Sequence, residues 1–279
     1  MGVASLVSLP EVCIQVNGMV EDERSSAADI ARVISQDPGL TARLLKIANS
    51  SFYRFPSKIE TVSRAVTIIG TRELRFLVLA ASAVRSFDRI SNDDIDMASF
   101  WRHSVYCGVI ARILAGRCRV LHSERLFVAG LLHDVGRLVM LSRIPDLVQV
   151  MHFRARQAAI PMYEAEREVF DTDHGEVGAE LMKLWRLPAS LQTAAAYHHE
   201  PQRAPEYALE ASLVHIASVL AQLAELGSSN LQDAEPVSPF AWDLTHLTPD
   251  VVEAVLQEAR AQFLETLLLF LPGVLMARR

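Results

Sequence analysis

Apolar residues recur at helical spacing along most of this 279-residue chain. No convincing run of alternating apolar and polar residues interrupts the pattern, so we expect no β-sheet. Ser26 followed by Asp29 predicts a capping box at the start of one helix. The sequence Asp37-Pro38-Gly39 is typical of a point where one helix ends and the next begins. The sequence therefore predicts an all-α fold.

The same periodicity predicts where the helices lie. Beyond the two around Asp37, we predict helices over 59–70, 74–84, 98–116, 124–142, 146–159, 173–186, 189–199, 206–226 and 249–271.

Composition along the chain predicts three parts. Residues 1–90 form an N-terminal helical bundle, with the polar stretch 91–94 as the predicted boundary. Residues 91–228 form the second part. The third part, 229–279, is a polar linker followed by one last helix. The apolar stripe of that helix predicts packing on the protein's own core, with pairing to a second copy as the alternative.

Composition, net charge and cysteine spacing indicate the compartment and the partners to expect for this protein. It is 51% hydrophobic and 22% charged, which is typical of a globular protein, and its net charge of −6 argues against a nucleic-acid partner. Three cysteines form no CxxC pair, which suits a reducing compartment. The longest apolar run, 267–276, is broken by Pro272 and is shorter than the roughly 20 residues of a membrane span. We expect a cytoplasmic protein with no membrane partner.

The segment 125–142 is apolar at nearly every position, which predicts one helix buried on most sides. Its polar exceptions are His133, Asp134 and Arg137. On a continuous helix these fall within one sector, with Gly130 leaving space beside them. Because a buried carboxylate is costly unless a cation or donors meet it, something positive must face Asp134. Arg137 or a backbone donor is one candidate, and a metal ion is the other.

The same half of the chain is rich in histidine. His103 and His174 each share a helical stripe with apolar residues, and His198-His199 closes a predicted helix. An inward histidine is often a hydrogen-bonded core residue, and one in a last helical turn is favoured by the helix dipole, so core packing remains an alternative. As a set, their number suggests a centre for iron, manganese, nickel or zinc, since nitrogen-rich ligation suits these ions better than calcium. The candidate metal ligands are His103, His133, Asp134, His174, His198 and His199.

Several short sequence motifs, taken together, resemble those of a known family. They are 35–45, 48–50, Ala65 and 69–70 in the first part, and 100–103, 130–136, 173–178, 185–188 and 198–201 in the second. The joint pattern resembles the HDOD domain over residues 8–225. The order of the histidines and Asp134 is similar to the ligand series of HD-superfamily phosphohydrolases, notably the HD-GYP phosphodiesterases. The resemblance implies an N-terminal bundle packed on an HD-like helical domain, in a bacterial signalling output module.

The chain departs from the hydrolase pattern at the end of that series. HD hydrolases complete the metal site with an aspartate, and the corresponding word here, 214–218, ends in Ser218. A neutral hydroxyl is a poor substitute for a carboxylate on a divalent cation. Arg137 stands where such enzymes often have lysine, and no GYP-like word follows His199.

The resemblance and its departures together rank the functions. We expect a regulatory module that acts through a signalling protein partner, such as a receiver domain or a cyclic-dinucleotide protein, with or without a bound metal. A metal- or redox-responsive sensor is a variant of this hypothesis, and homo-oligomerisation remains open. The alternative is a metal-dependent phosphohydrolase acting on a nucleotide or cyclic dinucleotide, for which His133, Asp134 and Arg137 are the candidate catalytic residues.

Overall fold

The structure, a computed structural model, describes residues 9–50, 52–53, 55–87 and 96–271. The described residues form helices and no strand, which confirms the all-α prediction. The predicted boundary at 91–94 lies outside the described residues. The α-helices are α1 (Glu11–Glu21), α2 (Ala27–Ser35), α3 (Pro38–Ala48), α4 (Val62–Ile69), α5 (Thr71–Phe87), α6 (Met97–Arg117), α7 (Glu124–Leu132), α8 (Val135–Arg143), α9 (Pro145–Ala158), α10 (Met162–Phe170), α11 (His174–Leu184), α12 (Ala189–Tyr197), α13 (Ala208–Leu226), α14 (Pro239–Thr245) and α15 (Val252–Phe270).

The helix starts predicted near the N-terminus are confirmed. Ser26 and Asp29 form a reciprocal capping box at the start of α2. The side chain of Asp37 accepts a hydrogen bond from the backbone N–H of Leu40 at 2.9 Å, so it caps α3.

The helix predicted from residue 59 starts three residues later than expected. Asn49 holds both backbone groups of Ile59, accepting from its N–H and donating to its carbonyl, each at 2.7 Å. These bonds keep the chain non-helical until Thr61, whose side chain caps α4. The tertiary contact with Asn49 therefore overrides the local apolar period.

The predicted single helix over 124–142 was wrong, because the structure divides it into α7 and α8 at His133 and Asp134. Asp134 has φ −98° and ψ 6°, outside the α-helical region, and precedes the first residue of α8. The two residues therefore project from a junction between helices and not from a stripe along one helix.

Gly130 also has a different role from the one predicted. A Cβ there would lie 2.7 Å from the carbonyl oxygen of Cys107 and 2.8 Å from the Cα of Gly108. The glycine lets α7 pack closely on α6, and it does not leave space beside the candidate site.

Three helices were not predicted, α1, α10 and α14. The sequence of α10 is short, and four of its nine residues are charged. Proline at 161 begins it, and Asp171 ends it in the left-handed conformation at φ 56°. Its position is set by packing on α9 and α11, which a local pattern does not contain.

Helix α13 lies at the centre of the second half and packs on α6, α7, α12 and α14. By length and composition alone it could cross a membrane, but 72% of its most apolar window is buried inside the protein. Helix α15 packs on α6 and buries Val255, Leu256 and Ala259, which confirms that its stripe covers the protein's own core. These contacts fix the helices that carry the candidate site.

Candidate metal centre

The structure brings the six predicted ligand residues together around Asp134. Its Oδ1 lies 3.1 Å from Nε2 of His174 and 3.5 Å from Nε2 of both His133 and His198. Nε2 of His199 lies 2.9 Å from Nε2 of His174. His103 joins from the other side, in a group with His133 and Asp134 whose donor atoms lie within 4.8 Å of one another.

Two of these rings are held by backbone carbonyls. His133 donates from Nδ1 to the carbonyl of Gly130 at 2.8 Å, and His198 donates from Nδ1 to the carbonyl of Ala195 at 2.7 Å. In the neutral rings this leaves a lone pair on each Nε2. Both Nε2 atoms are buried and have no hydrogen-bond partner among the described residues. Two imidazole lone pairs therefore face an anionic oxygen, an arrangement that a cation between them would stabilise.

His174 is held by a carboxylate. Glu166, on α10 and only 2% exposed, accepts from Nδ1 of His174 at 2.6 Å and from its backbone N–H at 2.8 Å. The opposite nitrogen of the ring faces Asp134. His174 is thus fixed at both ends of its ring.

Burial and charge set the protonation of the site without metal. Burial lowers the pKa of His133 to about 3, so this ring is neutral. Burial would lower the pKa of His174 too, but Asp134 and Glu166 outweigh it and raise that pKa to about 9. Burial opposes ionisation of Asp134, yet His133, Arg137 and His174 hold its pKa well below the usual range. Burial and the neighbouring histidines depress the pKa of His199.

On the side of the site that faces the cleft, side chains contact the candidate ligand His103. Nδ1 of His103 lies 3.1 Å from Oε2 of Glu225, and Nε2 of the same ring lies 3.4 Å from Oγ of Ser218. Oε1 of Glu225 accepts from Nε of Arg102 at 3.3 Å. Ser218 therefore lies against a candidate ligand, as the sequence comparison with hydrolases suggested, and it brings no charge.

A cleft of about 460 Å³ leads from solvent to the site. Asp134, His174, His199 and His103 reach its surface, whereas His133 and His198 are buried behind them. Arg137 lines the same cleft and donates to Oδ2 of Asp134 at 3.0 Å, leaving Oδ1 for the histidines. The cleft also contains carboxylates, at Asp96, Glu225 and Glu235.

Sequence reasoning missed the residues of α10 that hold the ligands. Besides Glu166, Tyr163 stacks on the ring of His199 with centroids 4.2 Å apart. Arg167 forms ion pairs with Asp173, at 2.6 Å, and with Glu200. Asp173 directly precedes His174, and Glu200 directly follows His199. A predicted helix over 162–170 would have pointed to them, because Tyr163, Glu166 and Arg167 share one face at helical spacing.

His215 was missed as well, although it lies within the predicted helix 206–226. Its Nδ1 donates to the carbonyl of His198 at 2.7 Å, and its Nε2 accepts from the backbone N–H of Ser238 at 2.9 Å. Burial lowers its pKa to about 4, in keeping with a neutral ring that both donates and accepts. It orients the end of α12 and does not face Asp134.

The donor set fits a transition metal. Nitrogen and oxygen ligands about 2.1 Å from one ion lie about 3.0–3.4 Å from each other at tetrahedral or octahedral angles. The separations of Asp134 Oδ1 from His133, His174 and His198 are 3.1–3.5 Å. Each of these rings also has a second partner on Nδ1, which is typical of metal-bound histidine. That these residues bind a metal remains a prediction.

The helical fold and this histidine–aspartate cluster define a protein of the HD-like class. The HDOD domain family model matches residues 6–201, and the chain belongs to the HDOD domain family. An uncharacterized protein of Treponema pallidum (strain Nichols) is 28% identical over 202 residues, 71% of this chain and 38% of that protein. The chain thus spans about two fifths of the length of this relative.

Solved structures share the fold. An HDOD domain protein with unknown function from Geobacter sulfurreducens has a TM-score of 0.77 at 25% identity, over 95% of this chain and 94% of that one. A putative phosphohydrolase from Shewanella amazonensis SB2B has a TM-score of 0.75 at 24% identity, with the same two coverages. A putative signal transduction protein from Marinobacter aquaeolei VT8 has a TM-score of 0.71 at 21% identity, over 98% of this chain and 60% of that one.

Proposed function

We propose that this protein is a cytoplasmic signalling regulator of the HDOD type, which binds a divalent transition metal in its HD-like centre and acts through a protein partner. The observation that carries the metal is the pair of buried, unpartnered Nε2 atoms of His133 and His198 facing Asp134. The regulatory part is supported by membership of the HDOD family and by a structural neighbour named a putative signal transduction protein. A receiver domain or a cyclic-dinucleotide protein is the partner we propose.

Different residues of the site would supply the nitrogen donors and the negative charge that hold the ion. His133 and His198 would supply neutral nitrogen donors, His174 would do so after losing the proton that it carries without metal, and Asp134 would supply the charge. Iron, manganese, nickel or zinc suits this set. When bound, such an ion supplies a Lewis acid that lowers the pKa of coordinated water. Arg137 stabilises the outer oxygen of Asp134 and keeps the inner one directed at the rings.

Two features favour regulation over hydrolysis of phosphate esters. Ser218 supplies no ligand charge on the open side of the site. The cleft is also lined by three carboxylates, Asp96, Glu225 and Glu235, against two arginines: Arg137, which lines it too, and Arg102, which pairs with Glu225. Carboxylates at the mouth of a cleft repel anionic substrates such as nucleotides.

A metal-dependent phosphohydrolase is the second candidate, because Asp134, His174 and His199 line a cleft that opens to solvent. A structural neighbour named a putative phosphohydrolase supports it further. In this case Arg137 would meet the substrate's negative charge, and His133 and Asp134 would hold the ion. A metal- or redox-responsive sensor is a variant of the regulator and uses the same ligands.

One experiment separates these functions. Protein purified without chelator is analysed for bound metal and assayed with bis-p-nitrophenyl phosphate and cyclic dinucleotides. Stoichiometric metal without turnover supports the regulator, and metal with turnover that His133→Ala abolishes supports the hydrolase. Absence of metal after reconstitution with iron, manganese, nickel and zinc would contradict the metal centre.

A second measurement tests the regulatory role directly. Binding of a receiver domain and the oligomeric state are compared in metal-loaded and chelated protein. A change in either with metal supports a signalling use of the site. Binding that is the same in wild type and in His133→Ala, with and without metal, would contradict it.

A further inference from the structure

Each of four imidazoles in the centre has an acceptor on Nδ1, and the acceptors are of two kinds. Backbone carbonyls hold His133 and His198. Carboxylates hold His174 and His103. For His103 the carboxylate is Glu225, in the last turn of α13, outside the residues that match the family.

The bond to Glu225 decides which nitrogen of His103 faces the site. A carboxylate accepts and cannot donate, so in the neutral ring Nδ1 carries the proton and the lone pair lies on Nε2. That atom points to the side where Ser218 lies, and the residue forms a group with His133 and Asp134 that could hold a metal ion. A carboxylate partner also makes an imidazole a stronger donor to a metal.

Glu225 and Ser218 both approach His103 because they lie on one face of the same helix. The two residues are seven positions apart on α13, which places them two turns apart on the same face. Both line the cleft and both contact His103, one at each ring nitrogen. Arg102 holds the second oxygen of Glu225, so its carboxylate has a fixed orientation.

We propose that Glu225 is a positioning residue of the metal centre. It directs Nε2 of His103 at the ion and supplies, through that ring, the negative charge that Ser218 does not provide on this wall. The inference rests on the proposed metal binding.

The test is a titration of the metal-free full-length chain with Co²⁺, followed by the visible absorption of the bound ion. Glu225→Gln keeps the size of the side chain and removes its charge. We expect its affinity for Co²⁺ to fall about 10-fold and its absorption bands to shift, since partners of ligating histidines contribute about 10–100-fold. The matched control is Glu235→Gln, which removes a carboxylate lining the same cleft and changes affinity less than about threefold.

A rescue variant separates positioning from loss of fold. Ser218→Asp places a carboxylate beside Nε2 of His103, so the double variant Ser218→Asp/Glu225→Gln is expected to recover affinity to within about threefold of wild type. A damaged fold would not recover in this way.

The outcomes distinguish this inference from the proposed function. If wild type binds no Co²⁺, the metal centre itself is contradicted. If wild type binds and Glu225→Gln behaves like Glu235→Gln, the inference is overturned while the metal centre stands. Loss of affinity in Glu225→Gln without recovery in the double variant would also overturn it.

Discussion

The two walls of the centre use different means to orient their histidines. On the inner wall, His133 and His198 are 0–1% exposed and are held by carbonyls of the helices that carry them. On the outer wall, the His103 side chain is 16% exposed and is held by a side chain from another helix. Backbone acceptors survive most substitutions, whereas a side-chain acceptor is lost with one. We therefore expect the inner wall to set whether metal binds and the outer wall to set how tightly.

The largest effect is expected at Gly136, where the helix that follows Asp134 packs against the backbone of the helix that carries His174. A Cβ at Gly136 would collide with the carbonyl oxygen of His174 and lie 2.6 Å from the backbone nitrogen of Gly178. Gly136→Ala should therefore force α8 away from α11 and lower the free energy of unfolding by about 3 kcal/mol or more. Gly18→Ala is the control, because nothing lies within 4 Å of its new Cβ and alanine favours a helix by about 1 kcal/mol. Urea unfolding followed by circular dichroism measures both.

The second prediction compares the walls directly through metal affinity. His198→Ala removes an inner donor and should weaken Co²⁺ binding more than about 100-fold, beyond the range of a mere partner of a ligand. His103→Ala removes the outer donor and should weaken it about 10–100-fold. Equal losses in the two variants, measured by competition with a chelating dye, would contradict the division of roles.

Addition of metal should stabilise the whole protein. At free ion 100-fold above the dissociation constant, the folded state gains about 2.7 kcal/mol, because the unfolded chain has no formed site. Thermal unfolding should therefore shift upward by several degrees and return on chelation. His198→Ala should show less than about half of that shift. A shift of wild-type size in this variant would mean that the ion binds elsewhere.

A smaller effect is expected at Glu166, a carboxylate on the inner side that holds His174. Glu166→Gln keeps an oxygen that can accept from Nδ1 of His174 but removes the charge, so metal affinity should fall about 10-fold. The exposed Glu168→Gln on the same helix is the control and should leave affinity unchanged. Calorimetric titration at low salt measures both, and similar affinities in the two variants would show that the charge of Glu166 does not reach the ion.

The fold class and the candidate ligands could be predicted from the sequence, but the contacts that hold the ligands could not. Helical period, the capping box at Ser26 and the order of His133, Asp134 and His174 are all local patterns, and each is present in the structure. The break between α7 and α8 was not visible, because the segment is apolar on both sides of Asp134.

The supporting residues were hidden for a related reason. Glu166 lies in α10, a nine-residue helix with four charged residues, and Glu225 looks like an ordinary solvated residue at a helix end. Their roles arise only when α10 and α13 pack beside the ligands. Interactions of this kind join residues 8 and 122 positions apart, and no spacing rule identifies them.

The match to the family ends at residue 201, yet the chain that builds the centre continues well beyond it. His215 accepts a hydrogen bond from the backbone N–H of Ser238 and donates one to the carbonyl of His198. The start of α14 therefore supports a candidate ligand. A fragment cut at the end of the match would lack Ser218, Glu225 and this support. Expression of a minimal domain therefore has to extend at least through α14, and a fragment chosen from the family match alone would report on an incomplete site.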